Sequence, residues 1–568
     1  MKSSLLIPVL STVLPIASAY TFREATDVLC GYGDSCWPSS LEWKVLNLTS
    51  GGNVFAVQPL AAVCHGNTFN QAACACDEAT QNWSIGAYTA EFRGGYPAHA
   101  YSDGFGTDSC RVDTPKTAAC GQGRVPPMML QASCVYHVQL GINFARLYKL
   151  RLRIKSTGHS LTGGASAFGA FAIDVHNMKD IEFTNNFKLA GAGTSKGSAV
   201  IVGPGVQFYE LYEAADKAGV TVVGGGCDSV SVSGYTLGGG HSRYSPHYGL
   251  AVDNLLQVQI VTPDGRVQYA NEKVNTEIFY AVRGGGAGWG VVTEWVFQTH
   301  PPVQNEVINN FQIVAPSQAL YRDAVYQYLS LMPTLRDNGW SDLAIGQQAA
   351  GLIIGATFKP NHTDIATEDQ VFKPLYDWAS ANGVVFVTNY TSYPSQYSLT
   401  SSEQFANQHV VDFDLLAYNS RLIPRTTFSN TATLSAVADF IAALPSLNFI
   451  GVAGGAVANS HAPSMALNPA WRTALSHILW ETRWAAGSTK DQQAVARAAG
   501  VAQLNNFTNI LGSNAAYVNE AATDDDAWPT NYWGSQYSKI LALKKKYDPS
   551  HLFNCNNCVG SETPGGKW

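Results

Sequence analysis

The sequence is poor in charge. Only 14% of its 568 residues are Asp, Glu, Lys or Arg, and the balance is acidic, 42 against 35, for a formal net charge of -7. Such a chain offers no broad basic field to nucleic acid or to an anionic membrane, and neither is expected as a partner. Beyond the N-terminus no apolar run approaches the roughly 18 to 20 residues that cross a bilayer. The motifs G-x-G-x-x-G after a strand, G-x-x-x-x-G-K-[ST] and H-E-x-x-H are all missing, which leaves the usual dinucleotide, P-loop and zincin readings without their chemistry. Internal repeats and low-complexity tracts are missing too. Hydrophobic residues are plentiful at 46%, enough for two or more domains, and glycine is abundant with 52 residues.

The N-terminus has the charge, length and small-residue ending of a secretory signal peptide over residues 1–19: Met1-Lys2, an apolar run from Leu5 to Ile16, then Ala17-Ser18-Ala19. The mature chain is expected to begin at Tyr20 and to be secreted and extracellular. Asn47, Asn82, Asn361, Asn389 and Asn506 head N-glycan acceptor triplets. Cysteines in an oxidising compartment tend to pair, and this chain has eleven, an odd number. Cys30, Cys36, Cys64, Cys74, Cys76, Cys110, Cys120 and Cys134 lie early, Cys555 and Cys558 close the chain, and Cys227 stands alone among glycines. The Cys-x-x-Cys at 555–558 has zinc spacing, but no second ligand pair follows it, so a disulfide is expected there and no metal.

Residues 20–117 read as a loop-rich, disulfide-held extension, a cover rather than a catalytic unit. From about Pro127 the periodicity becomes that of alternating helices and strands. Helices are predicted over Cys134–Tyr148 and Gln207–Ala218, and strands over Leu150–Ile154, Ala199–Val202, Val220–Val223 and Leu255–Thr262. Residues 302–512 suggest a separate α+β unit. Its strand-rich pieces are Val307–Val314 and Leu343–Phe358, and its helices Gln318–Met332, Glu368–Asn382, Thr431–Leu444 and Asp491–Leu511.

Three glycine-rich stretches carry the chemistry. The first, Ser156-Thr157-Gly158-His159-Ser160-Leu-Thr-Gly163-Gly164, follows a strand and exposes backbone N–H groups suited to phosphate oxygens. The second runs from Val222 through Cys227-Asp228-Ser229-Val230 and Ser233-Gly234 to Gly238-Gly239-Gly240-His241, with few side chains in the way of a large planar ligand. The third is Arg283 to Thr293 and includes Val291 and Val292. Taken singly, His159 reads equally as a surface histidine, and Cys227 as a small buried apolar residue.

In this order and separation, the three stretches resemble the FAD-binding domain of the vanillyl-alcohol oxidase family, in its berberine-bridge-enzyme-like branch. The likeness covers about residues 118–301. It resumes in Tyr517-Val-Asn-Glu520, in Asn531-Tyr532-Trp-Gly-Ser-Gln536, and from Lys546 to Asn554. The length and Cys-rich front resemble secreted fungal isoamyl-alcohol-oxidase-like members. The resemblance implies an α+β fold: a two-subdomain PCMH-type FAD domain at 118–301, a substrate domain at 302–512 with an antiparallel sheet flanked by helices, and a segment at 513–568 that returns to the FAD domain. It further implies FAD linked to His159 and to Cys227, which stands eleven residues before Gly238. On that reading ten cysteines pair and the eleventh holds flavin. Ser156 to Ser160, Gly163, Gly164, Asp228 to Val230, Ser233, Gly234, Gly238 to His241, Val291, Val292, Tyr532, Gln536 and Asn554 are the implied cofactor contacts.

A small Val230 at the flavin face is what the family associates with access for dioxygen, so the resemblance implies an oxidase that releases hydrogen peroxide. Relatives use a tyrosine of a Tyr-x-Asn-Tyr segment as the base that removes the substrate's hydroxyl proton. Here the second aromatic is replaced by Glu520, which leaves Tyr517 and Glu520 as alternatives. Gln536 likewise stands where the family has Asn. The expected substrate is an oligosaccharide, phenolic or secondary metabolite. An oxidative cyclase or desaturase, or a flavin-carrying binding glycoprotein, would share the same flavin residues.

Overall fold

Helices and strands form largely where the apolar spacing places them. In the helix Phe208–Lys217, Phe208, Leu211, Tyr212 and Ala215 are buried at the spacing of one helical face, and Gln207 with Glu210 closes the N-terminal capping box. The helix Thr431–Ala442 buries Leu434, Val437, Ala438 and Ile441 in the same way, with the Asn430 side chain accepting from Thr433 N–H. The computed structural model describes residues 29–65, 73–98, 110–193, 195–402, 415–485 and 487–562. The expected signal peptide and the Tyr20 start lie outside the described residues.

Among the described residues, sixteen strands build three sheets. In chain order they are β1 (Val54–Ala56), β2 (Met128–Gln131), β3 (Leu152–Lys155), β4 (Phe171–Asp174), β5 (Ile181–Lys188), β6 (Ser195–Val202), β7 (Leu255–Val261), β8 (Val267–Asn271), β9 (Val291–Gln298), β10 (Glu306–Val314), β11 (Ser341–Gln347), β12 (Leu352–Phe358), β13 (Val385–Tyr393), β14 (Leu416–Pro424), β15 (Ser446–Gly451) and β16 (Ala474–Arg483). The first sheet has the order β1-β2-β4-β3, with β2, β4 and β3 parallel. The second is β5-β6-β9-β7-β8 and the third β13-β10-β12-β11-β15-β16-β14, both antiparallel. This is the expected α+β architecture. Helices 318–330, 365–381, 431–442 and 490–511 contribute to one core with the third sheet, while the second sheet shares a core with residues 516–559.

Several expectations need adjusting. The strand predicted at Val220–Val223 is a single bridge between Thr221 and His300. The Leu343–Phe358 piece is two strands joined by a short helical turn at 348–350. The Cys-rich stretch is more regular than its composition suggests: it holds helices at 40–49, 73–81 and 86–91, and β1 adds an edge strand to β2. Cys30–Cys36, Cys64–Cys76, Cys110–Cys120 and Cys555–Cys558 are paired. Cys134, expected to pair, is instead an exposed free thiol at the N-cap of helix 135–147, and the side chain of Cys74 lies outside the described residues. Cys227 is therefore not the one cysteine left over, and counting alone does not single it out.

Candidate active site

The turn after β3 and the turn leading to helix 232–237 face one another. Between them His159 Nε2 lies 3.0 Å from Ser229 Oγ, and Cys227 Sγ lies 3.6 Å from the same oxygen. Ser229 is fully buried, whereas His159 and Cys227 are half-buried on the wall of a cavity of about 340 Å³. Packing around Cys227 pushes its thiol up to about 11, against the hydrogen bonds to Ser229 and the Val230 N–H that favour the thiolate. The thiol thus rests protonated. Thr157, Gly158, Val230, His241, Tyr517 and Glu520 line the same space.

A second lobe of about 190 Å³ adjoins it, and Ser156, Ser160, Gly234 and Asn519 line both. Its walls include Gly164, Ser233, Val291, Val292, Tyr532 and Asn554. A Cβ on Gly234 or Gly226 would meet nothing within 4 Å, because both open onto cavity space. The Oδ1 of Asn554 is buried without a protein partner. An elongated, two-lobed cavity with glycine openings and an orphaned buried acceptor fits a flavin nucleotide.

The third glycine stretch forms the floor of this second lobe. Gly284, Gly286, Gly288 and Gly290 all take positive φ, from +71° to +134°, backbone that side chains other than glycine rarely adopt. Trp533 Nε1 donates to the carbonyl of Gly284 at 2.9 Å. The buried Lys544 ammonium donates to the carbonyls of Gly288 and Phe553 and to Asp548, each at 2.7 Å. The C-terminal segment thereby pins the loop to the Asn554 wall.

Other implied contacts lie off the cavity. Gly163, Asp228, Gly238, Gly239, Gly240 and Gln536 line neither lobe. The glycine triplet is closely packed: a Cβ on Gly238 would stand 2.4 Å from the Asn519 amide, and one on Gly240 2.5 Å from the Tyr235 ring. Gln536 accepts the hydroxyl proton of Tyr280. Asn519, which the sequence reading did not single out, donates to the carbonyl of Gly234 at 3.1 Å and to Tyr517 Oη at 2.9 Å.

Glu520 is the charged centre of the first lobe. Its Oε1 meets His241 Nε2 at 3.1 Å and its Oε2 meets His477 Nε2 at 2.8 Å. Burial alone would raise its pKa, but the two imidazoles outweigh that and hold the carboxyl well below the usual range. Tyr517 moves the other way: burial and the Glu520 charge raise its phenol far above normal, so it stays protonated. His477, on β16, carries no sequence signal of its own; only its neighbourhood to Glu520 marks it.

Comparison with known proteins agrees with this geometry. Residues 126–271 match a family model described as an FAD binding domain, and residues 516–560 one described as berberine and berberine like. An uncharacterized FAD-linked oxidoreductase of Arthroderma benhamiae is 33% identical, the alignment covering 96% of each chain. A VAO-type flavoprotein oxidase of Thermothelomyces thermophilus is 31% identical over 93% of this chain and 92% of that one. Among solved structures, a VAO-type flavoprotein from Myceliophthora thermophila C1 superposes with a TM-score of 0.84 at 28% identity, covering 94% of this chain and 97% of the other.

Proposed function

The chain belongs to the VAO-type, berberine-bridge-like FAD-linked oxidoreductases, and from that premise we propose a secreted oxidase that carries FAD on His159 and Cys227. It oxidises an alcohol, carbohydrate or phenolic substrate and returns the electrons to dioxygen as hydrogen peroxide. The observation that carries this reading is the shared serine: His159 and Cys227, 68 positions apart in a chain numbered as here, meet at Ser229 Oγ on the wall of one cavity. Two attachment points on facing turns suit one ring between them.

FAD, when bound, supplies the two-electron acceptor chemistry. The protein's part is to hold it along the two lobes, to keep the wall at Val230 small for dioxygen, and to take the substrate's hydroxyl proton. Tyr517 is poorly suited to that last task because its phenol stays protonated. Proton acceptance falls instead to the cluster that Glu520 forms with its two imidazoles. Secretion is supported by the four disulfides, which form in oxidising compartments. Asn361, Asn389 and Asn506 are exposed, and Asn47 and Asn82 partly so, as glycan acceptors require.

The test is direct. The purified protein is denatured and precipitated, and the yellow colour is expected to stay with the pellet; peptide mapping should find flavin on both the His159 and Cys227 peptides. A peroxide-coupled screen with oligosaccharides, primary alcohols and phenolics identifies the substrate. Colour lost to the supernatant overturns covalent attachment, and dye reduction without peroxide overturns the oxidase.

A further inference from the structure

Glu520 spends both oxygens on imidazoles. A carboxylate whose two oxygens both accept from imidazoles, and whose pKa they hold low, is a weak base toward a substrate hydroxyl. His241 follows the Gly238–Gly240 turn and lines the first lobe, whereas His477 is fully buried in the middle of β16 and lines neither lobe. The buried Nδ1 of His477 has no partner, so the ring's proton sits on Nε2, donated to Glu520. For His241 the same logic places the donated proton on Nε2 and leaves Nδ1 as the nitrogen able to accept another.

We propose that His241 is the catalytic base and that His477 is a positioning residue, which fixes Glu520 so that the carboxylate orients His241. This rests on the flavin-oxidoreductase reading above. The substrate's O–H bond breaks and its proton passes to His241 Nδ1. The C–H hydrogen leaves with its electron pair to the flavin, and the C–O bond becomes a carbonyl. Glu520 stays ionised throughout.

Packing supports a positioning role over simple space filling. On β16, His477 stands between Leu422 of β14 and Ile450 of β15, neighbours that would accept an aliphatic side chain. The rings of Tyr517 and Trp471 close the remaining sides: Tyr517 lies 5.1 Å from His241 and 5.9 Å from His477, and Trp471 6.3 and 6.4 Å. Other groups electrostatically near Glu520 are Tyr418 of β14, with Glu481 and Arg483 of β16 beside that tyrosine. Tyr235 donates to the His241 carbonyl at 2.9 Å and leaves its ring free to serve.

The holoenzyme and its variants H241Q, H477Q, H477L and E520Q test this in two ways. First, anaerobic bleaching of the flavin is followed with cellobiose, benzyl alcohol and coniferyl alcohol, using whichever reduces the parent. H241Q should lose roughly 10²- to 10⁴-fold in the saturating rate, as removal of a general base does. H477L should lose at least about tenfold with its half-saturating concentration little changed, while H477Q, which keeps an N–H toward Oε2, should stay within about threefold of the parent. An unchanged rate in H241Q or H477L overturns the assignment, and so does an H477Q as slow as H477L.

Second, diethyl pyrocarbonate modification, read by peptide mapping, needs no substrate. His241, on the cavity wall, should be modified and His477, buried off the cavity, spared; E520Q should keep that pattern while bleaching at least about tenfold more slowly. A His241 that is untouched, or a His477 modified first, overturns the proposal. A parent that no compound bleaches, but in which His241 is modified and His477 spared, refutes the proposed reaction and leaves His241 as the accessible imidazole of the pair.

Discussion

Replacing Lys544 with methionine should open the second lobe of the cavity from below. The ammonium is fully buried and makes three hydrogen bonds of 2.7 Å, to the carbonyls of Gly288 and Phe553 and to Asp548. Asp548 is equally buried and also accepts the Leu552 and Phe553 N–H groups at 2.9 Å each. Methionine fills the space but leaves an uncompensated buried carboxylate, a change that costs about 3 to 5 kcal/mol. Two carbonyls that lose their donor add less than their separate costs, since the same relaxation serves both. An expected loss of about 4 kcal/mol lowers a urea midpoint by up to roughly 1 M in a chain of this size. Adding Asp548→Asn removes the stranded charge and should recover at least half of the loss. Urea titrations of parent, single and double variants, with flavin content recorded on each, provide the measurement. A single variant as stable as the parent, or a double variant less stable than the single, would refute the reasoning.

Glu306 is buried at the seam between β10 and the Arg243–Tyr244 turn, where it accepts the Tyr244 hydroxyl, and burial raises its pKa from 4.5 to about 7. An acid whose folded pKa is raised contributes stability below its unfolded value and loses it as pH climbs through the folded one. The contribution of Glu306 should therefore fall by about 3 kcal/mol between pH 4.5 and 7.5, read in urea titrations as the change with pH in the stability difference between parent and Glu306→Gln; a difference that does not vary with pH counts against it. Val230→Leu narrows the cavity wall, so reoxidation by dioxygen should slow by roughly tenfold or more while reduction of an artificial dye is kept; equal slowing with both acceptors would remove Val230 from the oxygen path. Ser229→Ala takes away the hydroxyl shared by His159 and Cys227, and the fraction of doubly attached flavin should fall in peptide maps. An unchanged fraction would make that serine dispensable.

Much of the architecture was legible from neighbouring residues alone. The apolar spacing of Phe208, Leu211, Tyr212 and Ala215 and the capping pair Gln207–Glu210 specify a helix wherever they occur, and the glycines of 284–290 announce a backbone that only glycine tolerates. The three glycine stretches pointed to FAD, and the replacement at Glu520 flagged a departure in the acid–base chemistry. These are short-range rules, and they act within a few residues.

What needed the tertiary structure depends on segments far apart in the chain. Glu520 lies 279 residues from His241 and 43 from His477, and only the closure of β16 beside the C-terminal turn lets one carboxylate meet both. The same holds for the glycine triplet, where Gly238 packs against Asn519 and Gly240 against Tyr235, and for Cys134, whose composition-based pairing failed because a disulfide needs a second sulfur within bonding reach. Sequence determined which backbone shapes and which chemical groups were on offer. Long-range packing, which sets separations and burial, decided which of those groups meet, and with it that Glu520 rather than Tyr517 carries the charge in the site.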